Sequence, residues 1–414
     1  MKGWKASQLG DIAAISYGFT AKASVENVGP KFLRITDIQD DMVNWSSVPY
    51  CPIDEADLKK YKLIDQDIVF ARTGATTGKS YLVCNPPESI AASYLIRLRV
   101  QDSNVSAKFI SKFFQTREYW DSVSSGISGS AQGGFNASKL SALVVLIPPL
   151  PEQKRIVEIV DEAFEGIDRA IANIQKNLTN ARELFESYLN SQLLAVASSV
   201  PTQTLLCLTD LIVDCEHKTA PVQETGIPSI RTPNIGKGYL IFDNVNRVSE
   251  ETYELWARRA KPEPGDLILA REAPAGNVGV IPEGQRVCLG QRTVLIRPKK
   301  EIANSQYLAF LLLHPIMQKR LLAHSTGATV QHVNMKDIRG LPISDLPPIQ
   351  TQIVCLRELE QSKLQVNRLE AIYRRKLAAL NELKQSILQK AFTGELTADN
   401  ANQATKAAKG VIAA

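Results

Sequence analysis

Gly74-Ala75-Thr76-Thr77-Gly78-Lys79-Ser80 carries the residue types of a phosphate-gripping loop. That loop needs four residues between its glycines for the backbone N–H groups to wrap a phosphate. Here there are three, and no acidic strand end is placed to hold magnesium. Asn85-Pro86-Pro87-Glu88 is similar to the tetrapeptide of amino-methyltransferases, which requires an aromatic fourth residue to stack on an extruded base. Glu88 cannot stack, and no glycine-rich cofactor loop follows a strand upstream. Asp65-Gln66-Asp67 is the nearest approach to a nuclease's acidic pair, but it recurs as Gly265-Asp266 and reads as a turn before a strand. His217, His314, His324 and His332 are far apart, with no serine or cysteine nucleophile signature beside them. Cys215-Glu216-His217 lacks the second cluster that would complete a tetrahedral metal site, and the six cysteines form no CxxC pair. The expectation is a chain with no catalytic constellation, no metal and no cofactor of its own.

What the residue types do suit is contact with nucleic acid. Two polar, glycine-rich loops stand out, at 72–79 and 125–136, and both have counterparts, at 271–277 and 325–334. Arginine pairs with guanine, asparagine and glutamine with adenine, and hydroxyls and backbone amides with phosphate. The candidates are Arg72, Thr76, Lys79, Gln132 and Asn136 in the first set, and Arg271, Asn277, Gln331, His332 and Asn334 in the second. The competing reading of each loop is a tight surface turn.

These loops sit on a duplicated framework. Asp67–Arg72 recurs as Asp266–Arg271, an offset of 199 residues, and the same offset takes Pro148-Pro149 to Pro347-Pro348 and Glu183-Leu184 to Glu382-Leu383. A period near 200 is a doubled unit, not a solenoid. Short β-branched and aromatic runs at 32–35, 67–71, 94–98 and 143–147 predict strands, with a helix near 107–122. The second copy repeats them at 228–231, 267–270 and 293–296, with a helix near 305–321. After each mixed domain comes a long amphipathic helix. Ile156, Val160, Ile167, Ile174 and Leu184 mark the seam of the first. Val366, Leu369, Leu380, Leu383 and Ile387 mark the seam of the second, which spans 349–392 and stops near Gly394. A helix of about 40 residues extends roughly 60 Å, so an exposed seam of that length needs a partner. The two copies packing antiparallel would supply it, and so would an intermolecular coiled coil. The fold class is therefore α+β: two tandem α/β domains separated by two long helices in an antiparallel, pseudo-two-fold coiled coil. The expected boundaries are 1–150, 151–200, 201–346 and 347–396, with a flexible tail at 397–414.

Composition agrees with a globular protein: 44% hydrophobic and 22% charged residues, with a mildly basic net charge of +5. No signal-peptide core follows Met1-Lys2-Gly3-Trp4-Lys5, and no window of about 18 apolar residues could span a membrane. The expected location is the cytoplasm, with reduced thiols.

Taken in order, four segments resemble the specificity subunits of type I restriction–modification systems over nearly the full chain. They are Ala71–Lys79, Ser125–Gly134, Ile147–Gln153 and Ala391–Leu396. The resemblance implies two target-recognition domains, each reading half of a bipartite, asymmetric DNA site, with the helices as a ruler for the spacer. It implies partners: double-stranded DNA, two modification subunits carrying S-adenosylmethionine, and restriction subunits using ATP and magnesium. The second copy departs from the pattern: Arg271-Glu272-Ala273-Pro274-Ala275-Gly276 replaces the Thr-Gly-Ala-Thr loop. Divergent domains suit an asymmetric target. The alternative function is a stand-alone coiled-coil interaction or scaffold protein.

Overall fold

In a computed structural model, the structure describes residues 3–39, 41–128, 135–272, 274–323 and 332–397. The chain forms two compact units. The first joins Met1–Lys176 to Tyr373–Ala414, and the second is Asn177–Ile372.

The first unit is built on an antiparallel sheet of four strands, β1 (Ala13–Tyr17), β2 (Ile68–Ala71), β3 (Ser80–Leu82) and β4 (Leu95–Val100), in the order β1-β4-β2-β3. Strand β2 reads Ile-Val-Phe-Ala because it is buried on both faces. Phe70 meets Phe114 edge-on at 4.6 Å on one face. Val69 joins Leu33, Leu63, Val83 and Leu95 on the other. A parallel pair, Lys31–Leu33 with Ser89–Ala91, and an antiparallel pair, Lys5–Gln8 with Val144–Ile147, complete the domain's main pairings.

The second unit repeats the arrangement. Strands β5 (Thr209–Asp214), β6 (Leu267–Ala270), β7 (Val278–Val280) and β8 (Thr293–Pro298) form a sheet in the order β5-β8-β6-β7. Ile227–Ile230 pairs in parallel with Cys288–Leu289. The same ion pair locks both sheets. Arg99 clasps the buried Asp67 through Nε and Nη2, both at 2.7 Å, and Arg297 clasps the buried Asp266 identically at 2.8 Å. Each carboxylate also accepts a backbone N–H, from Ile64 or Glu263 at 2.9 Å. Asp67 and Asp266 thus serve the turn before the strand, as the sequence suggests.

The single helices expected near 107–122 and 305–321 are each two. Thr116 ends Ala107–Phe113 by donating to the Phe113 carbonyl at 2.7 Å, and starts Arg117–Ser128 by accepting from the Tyr119 N–H at 3.3 Å. In the second unit Pro315 lacks the N–H that would continue Ser305–Leu313, and His314 Nδ1 caps Pro315–Leu322 by accepting from Ile316 at 3.3 Å.

The long helices are Leu150–Ser198, the central helix, and Ile349–Phe392, the C-terminal helix. A buried glutamine anchors each start. Gln153 donates to the carbonyls of Asn104 (2.9 Å) and Pro148 (2.8 Å) and accepts from Ser106 N (2.8 Å). Gln352 does the same with Ile302 (2.8 Å), Pro347 (2.8 Å) and Asn304 N (2.9 Å). Both side chains are fully buried.

The helices pack antiparallel within each unit. In the first, Asp168 pairs with Lys384, and the earlier residue Glu152 meets the later residue Thr397 at 2.7 Å. In the second, Arg182 pairs with Glu370 at 2.7 Å, and Leu193 packs with Leu356 and Leu359. Of the expected seam residues, Ile156, Val160, Ile167, Ile174, Leu380 and Ile387 are buried, and Val366 and Leu383 are half-buried. Leu184 and Leu369 are not in the seam: they are 71% and 42% exposed. The half-buried positions after Ile174 are Leu178, Ala181, Phe185 and Tyr188, spaced four, three, four and three. That register places Phe185 inward and Leu184 about 100° around the helix. On the other helix Glu370, not Leu369, falls between Val366 and Tyr373, where it takes Arg182. Among the described residues no helix is long and apolar enough to cross a membrane.

Candidate nucleic-acid interface

In an antiparallel sheet, the ends of alternate strands and the starts of their neighbours meet along one edge. In the first unit that edge collects Tyr17 at the end of β1, Arg72 after β2, Lys79 before β3 and Tyr94 before β4. Arg72 lies over the Tyr17 ring at 4.8 Å, and its backbone N–H donates to the Tyr94 carbonyl at 3.1 Å. Stacking of this kind holds a guanidinium without consuming its N–H donors. Among the described residues the Arg72 side chain has no hydrogen-bond partner. Thr76 is half-buried and Lys79 exposed on the turn that follows. Gly78 is required there. Its φ is 87°, a Cβ would come within 2.8 Å of Val123 Cγ1, and its carbonyl accepts from Tyr119 Oη at 2.6 Å.

Asn136 reaches the same edge through its neighbour, because Ala137 N donates to Tyr17 Oη at 3.2 Å. The Asn136 side chain itself caps the helix Ala137–Ser141 by accepting from Lys139 N at 2.9 Å. Gln132 and Gln331 lie outside the described residues, as does the tail beyond 397.

The matching edge of the second unit carries different chemistry at the same positions. Asp214 replaces Tyr17, Arg292 replaces Tyr94, and Arg271 stands where Arg72 does. Arg271 is only 7% exposed and fully engaged. Its Nη1 grips both Asp214 oxygens at 2.9 and 2.8 Å, and Nε donates to the Val333 carbonyl at 2.9 Å. Its Nη2 lies 2.9 Å from His332 Nε2. Arginine only donates, so His332 Nε2 accepts and its Nδ1–H faces Glu272 Oε1 at 2.5 Å. Glu272 Oε2 then holds Arg292 Nε at 2.9 Å. The network runs Asp214–Arg271–His332–Glu272–Arg292, from a buried guanidinium to one whose side chain is 58% exposed.

Of the other sequence candidates here, Asn277 spends its amide on the Ile235 carbonyl at 3.0 Å. Asn334 is exposed at the start of Met335–Arg339 and makes no side-chain capping bond. Asp214, Cys215 and His217 bring potential metal-ligand atoms within 4.8 Å of one another. Both Asp214 oxygens already serve Arg271, and burial pushes the Cys215 thiol up from its ordinary pKa, which opposes metal binding.

Tyr17, Tyr94, Asp214, Glu272 and Arg292 were not among the residues expected from sequence to face DNA. The signal was present in the repeat. Tyr17 and Asp214, like Tyr94 and Arg292, are related by nearly the offset that revealed the duplication.

Comparison with known proteins gives a concordant result. The type I restriction modification DNA specificity domain matches residues 1–180 and again 221–388. The EcoBI specificity subunit of Escherichia coli is 22% identical over 95% of this chain and 86% of its own length. The EcoKI specificity subunit of E. coli K12 is 24% identical over 96% of this chain and 90% of its own. A chain solved in work on assembly and conformational transition of the type I R-M system superposes with a TM-score of 0.70, at 18% identity, over 95% of this chain and 98% of that one. The HsdS subunit from Thermoanaerobacter tengcongensis has a TM-score of 0.51 at the same identity and coverage. Two matched domains, two copies of one framework and two long helices agree: this chain belongs to the type I restriction–modification DNA specificity family, and its role is DNA sequence specificity.

Proposed function

We propose that each globular domain reads one half of a bipartite, asymmetric DNA target and that the chain itself catalyses nothing. One observation carries this reading. The framework is the same in both units, down to the Asp–Arg clasps and the glutamine anchors, while the sheet edge carries Tyr/Arg/Tyr in one and Asp/Arg/Arg in the other. Identical edges would read a palindrome, and different edges read an asymmetric site. Arg72, Thr76, Lys79, Gln132 and Asn136, with Arg271, Asn277, Gln331, His332 and Asn334, mark the loops that approach DNA. Lysine and arginine contacts to phosphate supply affinity that falls with salt, and loop side chains supply base selection.

On this reading the long helices set the spacing between half-sites and offer docking faces to two modification subunits. Those carry S-adenosylmethionine, and restriction subunits with ATP and magnesium complete the enzyme, in the cytoplasm. Base-modification mapping of the native genome tests the proposal. A two-part methylated motif that disappears when this chain is deleted supports it. A motif that persists refutes it, as does methylation by the purified chain alone. Exchanging residues 1–150 for those of a related subunit should alter one half of the motif and leave the other intact.

A further inference from the structure

We propose that Arg292 is the side chain with which the second domain selects a guanine in its half-site, and that Arg271 only positions it. This deepens the specificity reading above and rests on it.

Arg292 sits in the tight turn Gln291-Arg292 leading into β8, with φ at 65°. That backbone region is strained for a residue with a side chain, and persists only where the surroundings enforce it. The surroundings here do enforce it. The Arg292 carbonyl accepts from Arg271 N at 2.8 Å, and Glu272 holds Nε at 2.9 Å. Glu272 is itself fixed by His332, and His332 by the buried Arg271. The chain of contacts therefore ends on one exposed guanidinium.

What remains open on Arg292 is its end-on pair of donors. Among the described residues Nη1 and Nη2 have no partner, and the side chain is 58% exposed. Two parallel N–H donors match the O6 and N7 acceptors on the major-groove edge of guanine, and no other base offers that pair. A carboxylate on Nε orients the fork before binding, so less rotamer freedom is lost on contact. Arg271 cannot do this work, because every face of its guanidinium is engaged and buried. The first domain has no arginine at that position: Tyr94 occupies it, 64% exposed. Its open guanidinium is that of Arg72, held by ring stacking and not by a carboxylate.

The test uses the full chain assembled with its modification subunits, and duplexes in which each guanine of the second half-site is replaced in turn by 7-deazaguanine, which lacks the N7 acceptor. The wild-type complex should bind one such duplex more weakly, by roughly 5- to 150-fold. Arg292→Gly, whose backbone suits this φ, should lose a comparable factor on the natural duplex and become indifferent to the replacement at that position. Reading of the first half-site should not change. The assignment falls if Arg292→Gly remains sensitive at every guanine, or if the second half-site contains no guanine. It also falls if the variant weakens all sequences equally with a shallower salt dependence, which is the signature of a phosphate contact. If the wild-type complex shows no sequence preference at all, the specificity reading fails and the assignment fails with it.

Discussion

Replacing Gln153 with leucine removes a side chain that joins a globular domain to the start of its long helix. The amide makes three bonds at 2.8–2.9 Å, accepting from Ser106 N and donating to the carbonyls of Asn104 and Pro148. Leucine fits the volume but leaves all three backbone groups without their partner. A stranded buried polar group costs about 1–3 kcal/mol. Two of the three bonds lie in partly buried surroundings where water can substitute, so a total near 3 kcal/mol is expected. For a unit of this size that lowers the melting temperature by roughly 6–12 °C. Because Gln352 has the same three partners, Gln352→Leu should cost the same within about 1 kcal/mol. Urea unfolding followed by circular dichroism measures both. A loss under about 1 kcal/mol for either variant would refute the claim that this amide fastens domain to helix.

Two further outcomes follow from the second unit's network and from the thiols. Asp214→Ala strands the buried Arg271 guanidinium and should cost about 3–5 kcal/mol, read by denaturant unfolding, whereas a neutral effect would mean that Arg271 finds water instead. Burial pushes the Cys51 thiol up to about 11 and Cys288 up to about 12, while a hydrogen bond with Thr204 lowers that of the exposed Cys207. Maleimide labelling of the native protein at neutral pH should therefore reach Cys207 first and leave Cys51 and Cys288 unmodified until unfolding. Early labelling of Cys288, read by mass spectrometry, would contradict the buried placement.

Much of the architecture was legible because it occurs twice. The 199-residue offset links Gln153 to Gln352 and Asp67 to Asp266, and the structure gives each pair the same partners. The C-terminal helix begins and ends where its proline start and glycine stop place it, at Ile349 and Phe392. Three things escaped. The apolar runs at 107–122 and 305–321 hid breaks made by one threonine hydroxyl and one proline. In the middle of the coil, residue type points to Leu184 and Leu369, whereas spacing continued from Ile174 and Val366 favours Phe185 and Glu370. Residue type alone also does not distinguish Arg271 from Arg72. An arginine after a strand looks the same in both copies, but Tyr17 leaves Arg72 open and Asp214 closes Arg271. That difference arises from residues about 55 positions away in each case, which no local motif records.

Residues 392–397 complete the first domain. Phe392 packs against Phe109 at 4.8 Å and Phe113 at 5.8 Å, Leu396 is buried, and Thr397 bonds Glu152. During synthesis those aromatic rings emerge well before their cover, which lies about 280 residues downstream. At roughly 5–20 residues per second the wait is about 15–55 s. Through that interval the nascent first domain shows an uncapped apolar face to the cell, and closing it means joining distant parts of the chain, an entropically slow step. That face is therefore most open to unwanted contacts before the C-terminal helix is made, and a ribosome stalled within the second domain holds out a first domain whose cover does not yet exist.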